Sequence, residues 1–434
     1  MTEAARRATF RDVFAIGEFR SLWLAYLLSI AGDQLALVAL TVLVYSRTHS
    51  PLATAAAYTV GFLPWLIGGP ALAGLADRIP RRTVMIGCDL ASMVLVAVMA
   101  VPAVPLWALI VLLFAVTLFG SPYRAARSAM LPDILTGDRY VLGTAAMQTT
   151  NRSGRLIGFA AGGAVVGLIG ARPAMGIDAA TFIASALLLR AGVRARALPI
   201  GPERHPTAGR RPGGKDQPGG GLGHGRRRLG RSRGSGLRLV FGDPTLRALV
   251  LLGWLVPFYA VPEAMAVPYA AHFHGGAAVA GLILGAGPCG SLIGTILFGR
   301  LVDPPARLAW MGPLAVSCCA VLALCATGPP LGLALVIIAA AGVLSAYQLA
   351  TNAAFVAAVP AHRRGQAFGV ANGGINVGQG VWFALAGLAA ETIGPARVIA
   401  VSGVAGAAVA LALALTWQRR RRAATDQLGS ASSA

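Results

Sequence analysis

The sequence predicts an all-α membrane protein of twelve transmembrane helices in two pseudo-symmetric six-helix bundles. Three observations carry that expectation: apolar blocks of spanning length, an arginine bias between alternate loops, and a pattern that repeats halfway along the chain. Hydrophobic residues make up 56% of the 434 and charged residues 12%, against roughly 25% charged in a soluble domain. Each apolar block is about 20 residues long, enough to cross a ~30 Å hydrocarbon core as a helix. A β-barrel, the other spanning solution, would alternate apolar and polar residues. These blocks are continuous runs of Leu, Ala, Val and Gly.

The blocks fall near 21–46, 53–76, 83–101, 105–129, 141–169, 173–191, 246–271, 277–300, 308–327, 330–357, 367–391 and 396–418. They divide the chain into a cytoplasmic N-terminal tail (1–20), a first bundle (21–192), a linker (193–243), a second bundle (244–418) and a cytoplasmic C-terminal tail (419–434). Short hairpins such as Pro102–Pro105 leave room only for tight turns. The first block contains Asp33 and no small-residue cleavage site, unlike a cleavable signal.

An even number of spans puts both termini on one side. Outside the linker that side carries Arg6, Arg7, Arg11, Arg20, Arg78, Arg81, Arg82, Arg139, Arg300, Arg307, Arg363, Arg364 and Arg419 to Arg422, whereas the opposite loops carry only Arg47, Arg172 and Arg397. The positive-inside rule therefore places both termini in the cytoplasm and the protein in a bacterial-type inner membrane. The net charge of +21 is first a topology signal, and no nucleic-acid partner is expected. Cys88, Cys289, Cys318, Cys319 and Cys325 all lie in apolar segments without CxxC spacing, as packing thiols do. No metal site is expected.

Three anchors define the repeat. Gly17-Glu18-Phe19-Arg20 before the first block matches Gly242-Asp243-Pro244-Thr245 before the seventh, an offset of 225. Asp77 and Asp303 are offset by 226, and Gly170 and Gly394 by 224. Repeats of this kind are common in secondary transporters. Between the halves, 12 of the 36 residues from Gly201 to Gly236 are glycine, with a cluster at Arg226, Arg227, Arg228, Arg231 and Arg233. Such a stretch buries too little apolar surface to fold; its arginines either stay solvated or touch anionic lipid headgroups. Glycines recur at four-residue spacing in blocks two, five, eight and eleven, for example Gly154/Gly158/Gly162 and Gly281/Gly285. Helices approach closely in lipid through small residues, so these four are expected where the halves meet.

The run Gly74-Leu75-Ala76-Asp77-Arg78-Ile79-Pro80-Arg81-Arg82 resembles the G-x-L-A-D-R-x-x-R-R signature of the major facilitator superfamily, with Asp303 and Arg307 as the degraded second copy. The resemblance covers nearly the whole chain apart from the linker, and implies a transporter that works by alternating access. It assigns gating to Gly74, Asp77, Arg78, Arg81, Arg82 and Asp303, with Asp77 paired to arginines while the cytoplasmic side is closed. Positive-inside anchoring alone would explain the arginines but not Gly74 or Asp77. Within the superfamily the chain looks most like the drug:proton antiporter branch related to macrolide and enterobactin exporters, on Gly32-Asp33, Arg124, the glycine-rich fifth block and Val261-Pro262-Glu263. The antiporter motif G-x-x-x-G-P-x-x-G-G is matched at Gly154, Gly158, Gly162 and Gly163, but Phe159 replaces its proline.

Ionisable residues at membrane depth are costly and default to function. Asp33 lies 12 residues beyond Ser21, about 18 Å at 1.5 Å per residue, where a protonatable carboxylate suits a proton-coupled cycle and a structural hydrogen bond is the plainer alternative. Glu263, in a block broken by Pro257, Pro262 and Pro268, is the second proton-coupling candidate, since irregular backbone at depth is tolerated where it lines a cavity. Arg124 and Asp178 are candidate substrate or charge partners; Arg124 could equally be a snorkelling anchor. Arg152 and Arg155 read as loop or interface residues.

Two nucleotide-like patterns fail. Gly209-x-x-x-x-Gly214-Lys215 has P-loop spacing but continues with Asp216, and Gly285-x-Gly287-x-x-Gly290 lies inside an apolar block. With no cofactor or ATP site expected, an ion gradient is the energy source. The expectation is a monomeric exporter of small amphipathic compounds (drug, antibiotic or siderophore-like), exchanging them for protons among membrane lipid. The alternatives are a proton-coupled uptake permease and a non-transporting receptor or regulator that docks through its linker. No nucleophile–base constellation suggests an enzyme.

Overall fold

A computed structural model of the chain describes residues 9–61, 79–196, 236–360 and 363–432. Every regular element among them is helical. The first half consists of α1 (Gly17–Thr48), α2 (Pro51–Val60, the described part of the second block), α3 (Arg81–Ala100), α4 (Leu106–Ile134), α5 (Asp138–Ile169) and α6 (Ala171–Gly192). In the second half, α7 is a broken run of four pieces: Pro244–Gly253, Val256–Tyr259, Val261–Ala264 and Ala266–His272. It is followed by α8 (Ala277–Leu301), α9 (Pro304–Ala320 with the 3-10 turn Val321–Thr327), α10 (Leu331–Leu344 and Tyr347–Ala358), α11 (Arg364–Ile393) and α12 (Pro395–Ser432).

Nine of these are apolar and long enough to cross a membrane. The long helices α5 and α11 stand outside that set, as does the short described part of α2. The arrangement is consistent with twelve spans. α1 begins at Gly17 and α12 continues to Ser432, so both helices reach into the segments expected as tails. The linker segment 201–235 and three gating candidates, Gly74, Asp77 and Arg78, lie outside the described residues.

The repeat is visible in the backbone. α5 ends at Gly170 (φ 87°) and α11 at Gly394 (φ 82°), both in a conformation that side chains with a Cβ avoid. The breaks in α7 follow from its prolines, which lack an N–H and crowd the preceding turn. Carbonyls near the first break find donors on α10: the Tyr347 hydroxyl donates to Leu252 O at 3.2 Å and Gln348 Nε2 to Gly253 O at 3.3 Å.

One face of the first half is marked by charge; it carries Glu18, Arg81, Asp133, Arg190 and Arg196, and is called the arginine face below. Arg196 forks onto Glu18 at 2.5 and 3.0 Å and donates to Asp133 O at 3.3 Å. On the opposite face Arg172 of α6 caps the α3–α4 turn through the carbonyls of Val101 and Pro102.

Packing differs between the two faces. Toward the opposite face a single core joins both halves, from Val38, Tyr58 and Phe159 to Val261, Tyr269 and Phe383. Toward the arginine face the core of the described residues divides in two. Phe19, Met85 and Leu135 belong to a cluster of the first half, and Leu249, Met311 and Phe355 to a cluster of the second.

Glycines explain the closure. A Cβ on Gly163 of α5 would lie 2.6 Å from Gly281 Cα of α8, and one on Gly387 of α11 would lie 2.7 Å from Ala55 Cβ of α2. The four glycine-rich helices thus meet across the halves, but not every glycine on them faces that joint. Gly154, Gly158 and Gly162 face α1 in their own half, and Gly290 and Gly294 face α10 in theirs. A helix at the edge of a bundle has two crowded sides, and each takes small residues.

Candidate functional site

Among the described residues, the carboxylates and arginines inside the bundle form two groups, one within the first half and one bridging the halves. In the first, Asp33 of α1 is partly open and lies within electrostatic reach of Arg124 of α4. Gly32 makes room for Asp178 of α6, since any Cβ there would collide with the Asp178 carboxylate and the Thr181 hydroxyl. Asp178 is wholly buried; its Oδ1 accepts from Thr181 Oγ1 at 3.2 Å, and its Oδ2 has no hydrogen-bond partner among the described residues. Asp178 therefore sits behind Asp33, between α1 and α6.

Asp89 of α3 belongs to the same group, although the sequence reading passed over it. It is 1% exposed and accepts from Ser185 Oγ of α6 at 2.7 Å. A carboxylate six residues beyond the start of an apolar block is the signal that should have found it. One turn beyond Arg124, Arg127 lays its guanidinium over the Tyr26 ring at 3.4 Å, and Asn151 of α5 donates to the Tyr26 hydroxyl at 2.7 Å.

The second group joins the halves. The Tyr58 hydroxyl of α2 donates to Glu263 Oε2 of α7 at 2.7 Å, and Arg155 of α5 reaches the same hydroxyl. Glu263 sits in the one-turn piece Val261–Ala264, between the breaks at Ala260 and Met265. Arg155 is exposed one residue before Leu156, the point nearest the arginine face at which a glycine contact between α5 and α8 is made, against Gly285. The tie thus lies where the joined core gives way to the two separate cores of the described residues. Arg155 is a member of this cross-half group; the side chain of Arg152 lies outside the described residues.

The described gating candidates are tied within their own halves. Arg81 bonds Asp133 of α4 and the Ala129 carbonyl, each at 2.6 Å, while Arg82 donates to the Leu189 carbonyl at 3.3 Å and to that of Arg190. They fasten α3 to α4 and α6. Asp303 is exposed at the start of α9, and the guanidinium of Arg307 turns instead to the carbonyls of Val302 and Gly299 at 2.8 and 2.7 Å. No group of three metal-ligating side chains occurs among the described residues.

Residues 22–269 and 258–433 match the Major Facilitator Superfamily. The chain belongs to that superfamily. It is a multi-pass membrane protein, and its likeness to an exporter has a counterpart among known sequences. Macrolide efflux protein A of Streptococcus pyogenes is 29% identical over 119 residues, covering 26% of this chain and 29% of that protein. An uncharacterised MFS-type transporter of Bacillus subtilis (strain 168), YfiS, is 27% identical over 163 residues, 37% of this chain and 39% of the relative. The chain thus aligns with well under half the length of these relatives.

Among solved structures, a mutant of the nucleoside transporter NupG superposes with a TM-score of 0.69 at 13% identity, covering 93% of this chain and 99% of that one. A bacterial homologue of the human lysosomal transporter Spinster, inward-facing and occupied, gives 0.66 at 16% identity over 92% and 96%. At these identities the likeness is one of fold.

Proposed function

We propose that this transporter exports small amphipathic compounds across the cytoplasmic membrane in exchange for protons. The observation that carries the reading is the Tyr58–Glu263 bond: a carboxylate at membrane depth, at the meeting of both halves, is held by a group from the opposite half. Any rocking that parts the α2 side from α7 must break this bond, so the chemistry of Glu263 and the position of the halves are linked. Asp33, beside Arg124, is the second proton carrier, with Asp178 as its buried neighbour. If the arginine face is cytoplasmic, as the positive-inside bias requires, this conformation is inward-facing. Asp77, Arg78 and Asp303 then belong to the gate that closes when the inner side shuts. The relative in Streptococcus supports export and a macrolide as the first compound to try.

Everted vesicles holding the protein test the reading, with a labelled macrolide at the head of a compound panel. Proton-driven uptake is expected, abolished by an uncoupler and reduced at least tenfold by Asp33→Asn or Glu263→Gln. Uptake indifferent to the uncoupler and to Asp33→Asn would sink the coupling.

One observation favours the second reading, proton-coupled uptake. Arg124, Arg127 and Arg155 gather around Tyr26 and Tyr58. Such a cluster suits an anionic solute that enters together with a proton. Accumulation in right-side-out rather than everted vesicles would select it.

A further inference from the structure

At the face opposite the arginines, the α2–α11 contact ends on a polar fastening that its symmetry mate lacks. Ser50 caps α2, its Oγ accepting from the Ala53 N–H at 3.0 Å. The same hydroxyl donates to Oε1 of Glu391 at 2.5 Å, and the Leu52 N–H donates to that oxygen at 3.1 Å. A carboxylate from the last turn of α11 in one half thus caps the first turn of a helix in the other, at its positive end. Just beneath, a Cβ on Gly387 would lie 3.0 Å from Leu52 Cα, so the backbones are in contact.

The repeat supplies an internal control. The offset of 224 between Gly170 and Gly394 puts Gly167 of α5 where α11 has Glu391, and the offset of 226 puts Gly276, which precedes α8, where α2 has Ser50. That mate carries no side chain for a polar tie: a Cβ on Gly167 would meet only Ala278, at 3.6 and 3.7 Å. The two cross-half contacts therefore share a geometry and differ in chemistry, one of bare glycine and the other bonded.

We propose that Glu391 is the latch of this face. It holds α2 to α11 while the halves are joined there, and it must release Ser50 and Leu52 before they part; the glycine contact of α5 and α8 acts as the pivot. The latch rests on alternation between two shapes and not on the coupling ion, so its test needs no substrate.

The measurement is the distance distribution between spin labels at Ala103, in the α3–α4 turn, and Thr327, the last residue of α9, both exposed on this face in opposite halves. The full chain is used in membranes, with the five native cysteines replaced. Glu391→Ala is expected to raise the long-distance population roughly tenfold, a charge-assisted pair of bonds being lost. Glu391→Gln, which keeps an acceptor but no charge, should raise it less, and Ser50→Ala should fall between wild type and Glu391→Ala. Gly387→Leu, which wedges the same contact, serves as the positive control. Distances that Gly387→Leu lengthens while Glu391→Ala and Ser50→Ala leave them at wild type overturn the latch. Where Glu391→Ala does not fold, Ser50→Ala and Glu391→Gln decide alone, and wild-type distances in both have the same meaning.

Discussion

Tyr58 offers the cleanest separation of chemistry from packing. Its ring packs against Phe383 with centroids 5.8 Å apart, and its hydroxyl holds Glu263. Tyr58→Phe keeps the ring and deletes the tie, a hydrogen bond to a charged group being worth about 1.5–3 kcal/mol. Initial transport rates in vesicles are expected to fall about tenfold, the same energy range in rate terms, while thermal unfolding in detergent moves by only a few degrees. A rate equal to wild type would remove Tyr58 from the mechanism. The sequence made part of this site legible. Asp33 and Glu263 stand out as ionisable residues in apolar blocks, and the same rule applies to Asp89. Arg155, inside the fifth block, fell under the rule too but reads from sequence as a loop or interface residue, and Tyr58 could not be found that way: a tyrosine in an apolar block is ordinary, and nothing local links residue 58 to a partner 205 positions away.

At the scale of elements, the joint between the halves is set by how closely backbones approach. Gly163 and Gly281 meet with no room for a Cβ on either, so Gly163→Leu must push α5 away from α8. Overpacking of this kind costs about 1–3 kcal/mol, enough to turn the balance away from the joined face. Labels at Ala103 and Thr327 should report the longer distance as the major population; an unchanged distribution would mean that the contact is not the pivot. The Arg81–Asp133 pair makes the opposite case. Its side chains are 25% and 37% exposed, and exposed pairs contribute about 0–1 kcal/mol. Asp133→Asn should therefore leave the unfolding temperature nearly unchanged. What sequence could read here was the occurrence of close contacts, from glycine spacing, and the breaks in α7, from its three prolines. It could not tell which side of α5 a given glycine serves, because Gly158 against Gln34 and Gly163 against Gly281 belong to the same run. Only the packed bundle distinguishes a contact inside a half from one between halves.

For the whole molecule, two copies of one six-helix pattern share a core at one face, while their described residues form separate cores at the other. The copies have kept their backbone, down to the left-handed glycines that end α5 and α11, while their chemistry has diverged. Carboxylates at depth cluster in the first half at Asp33, Asp89 and Asp178, whereas the second half contributes Glu263 from a broken helix. Such asymmetry suits a cycle in which one half carries most of the ionisable groups and the other meets them once per turn. The linker is attached at its start by a specific contact: Glu18 receives the Arg194 N–H at 2.9 Å and the Arg196 fork. Residues 236–242 form helical turns where the second half begins, with Gly236 against Gln366 and Val370 of α11. Both attachments lie outside 201–235, so a transporter needs only reach from that segment, not its arginines. Replacing 201–235 by a glycine-serine stretch of equal length should keep at least half of the wild-type transport rate, since such chains supply length without specific contacts. Loss of transport on that exchange, with unchanged expression and unfolding temperature, would instead make the arginine cluster a docking element and revive the regulator reading.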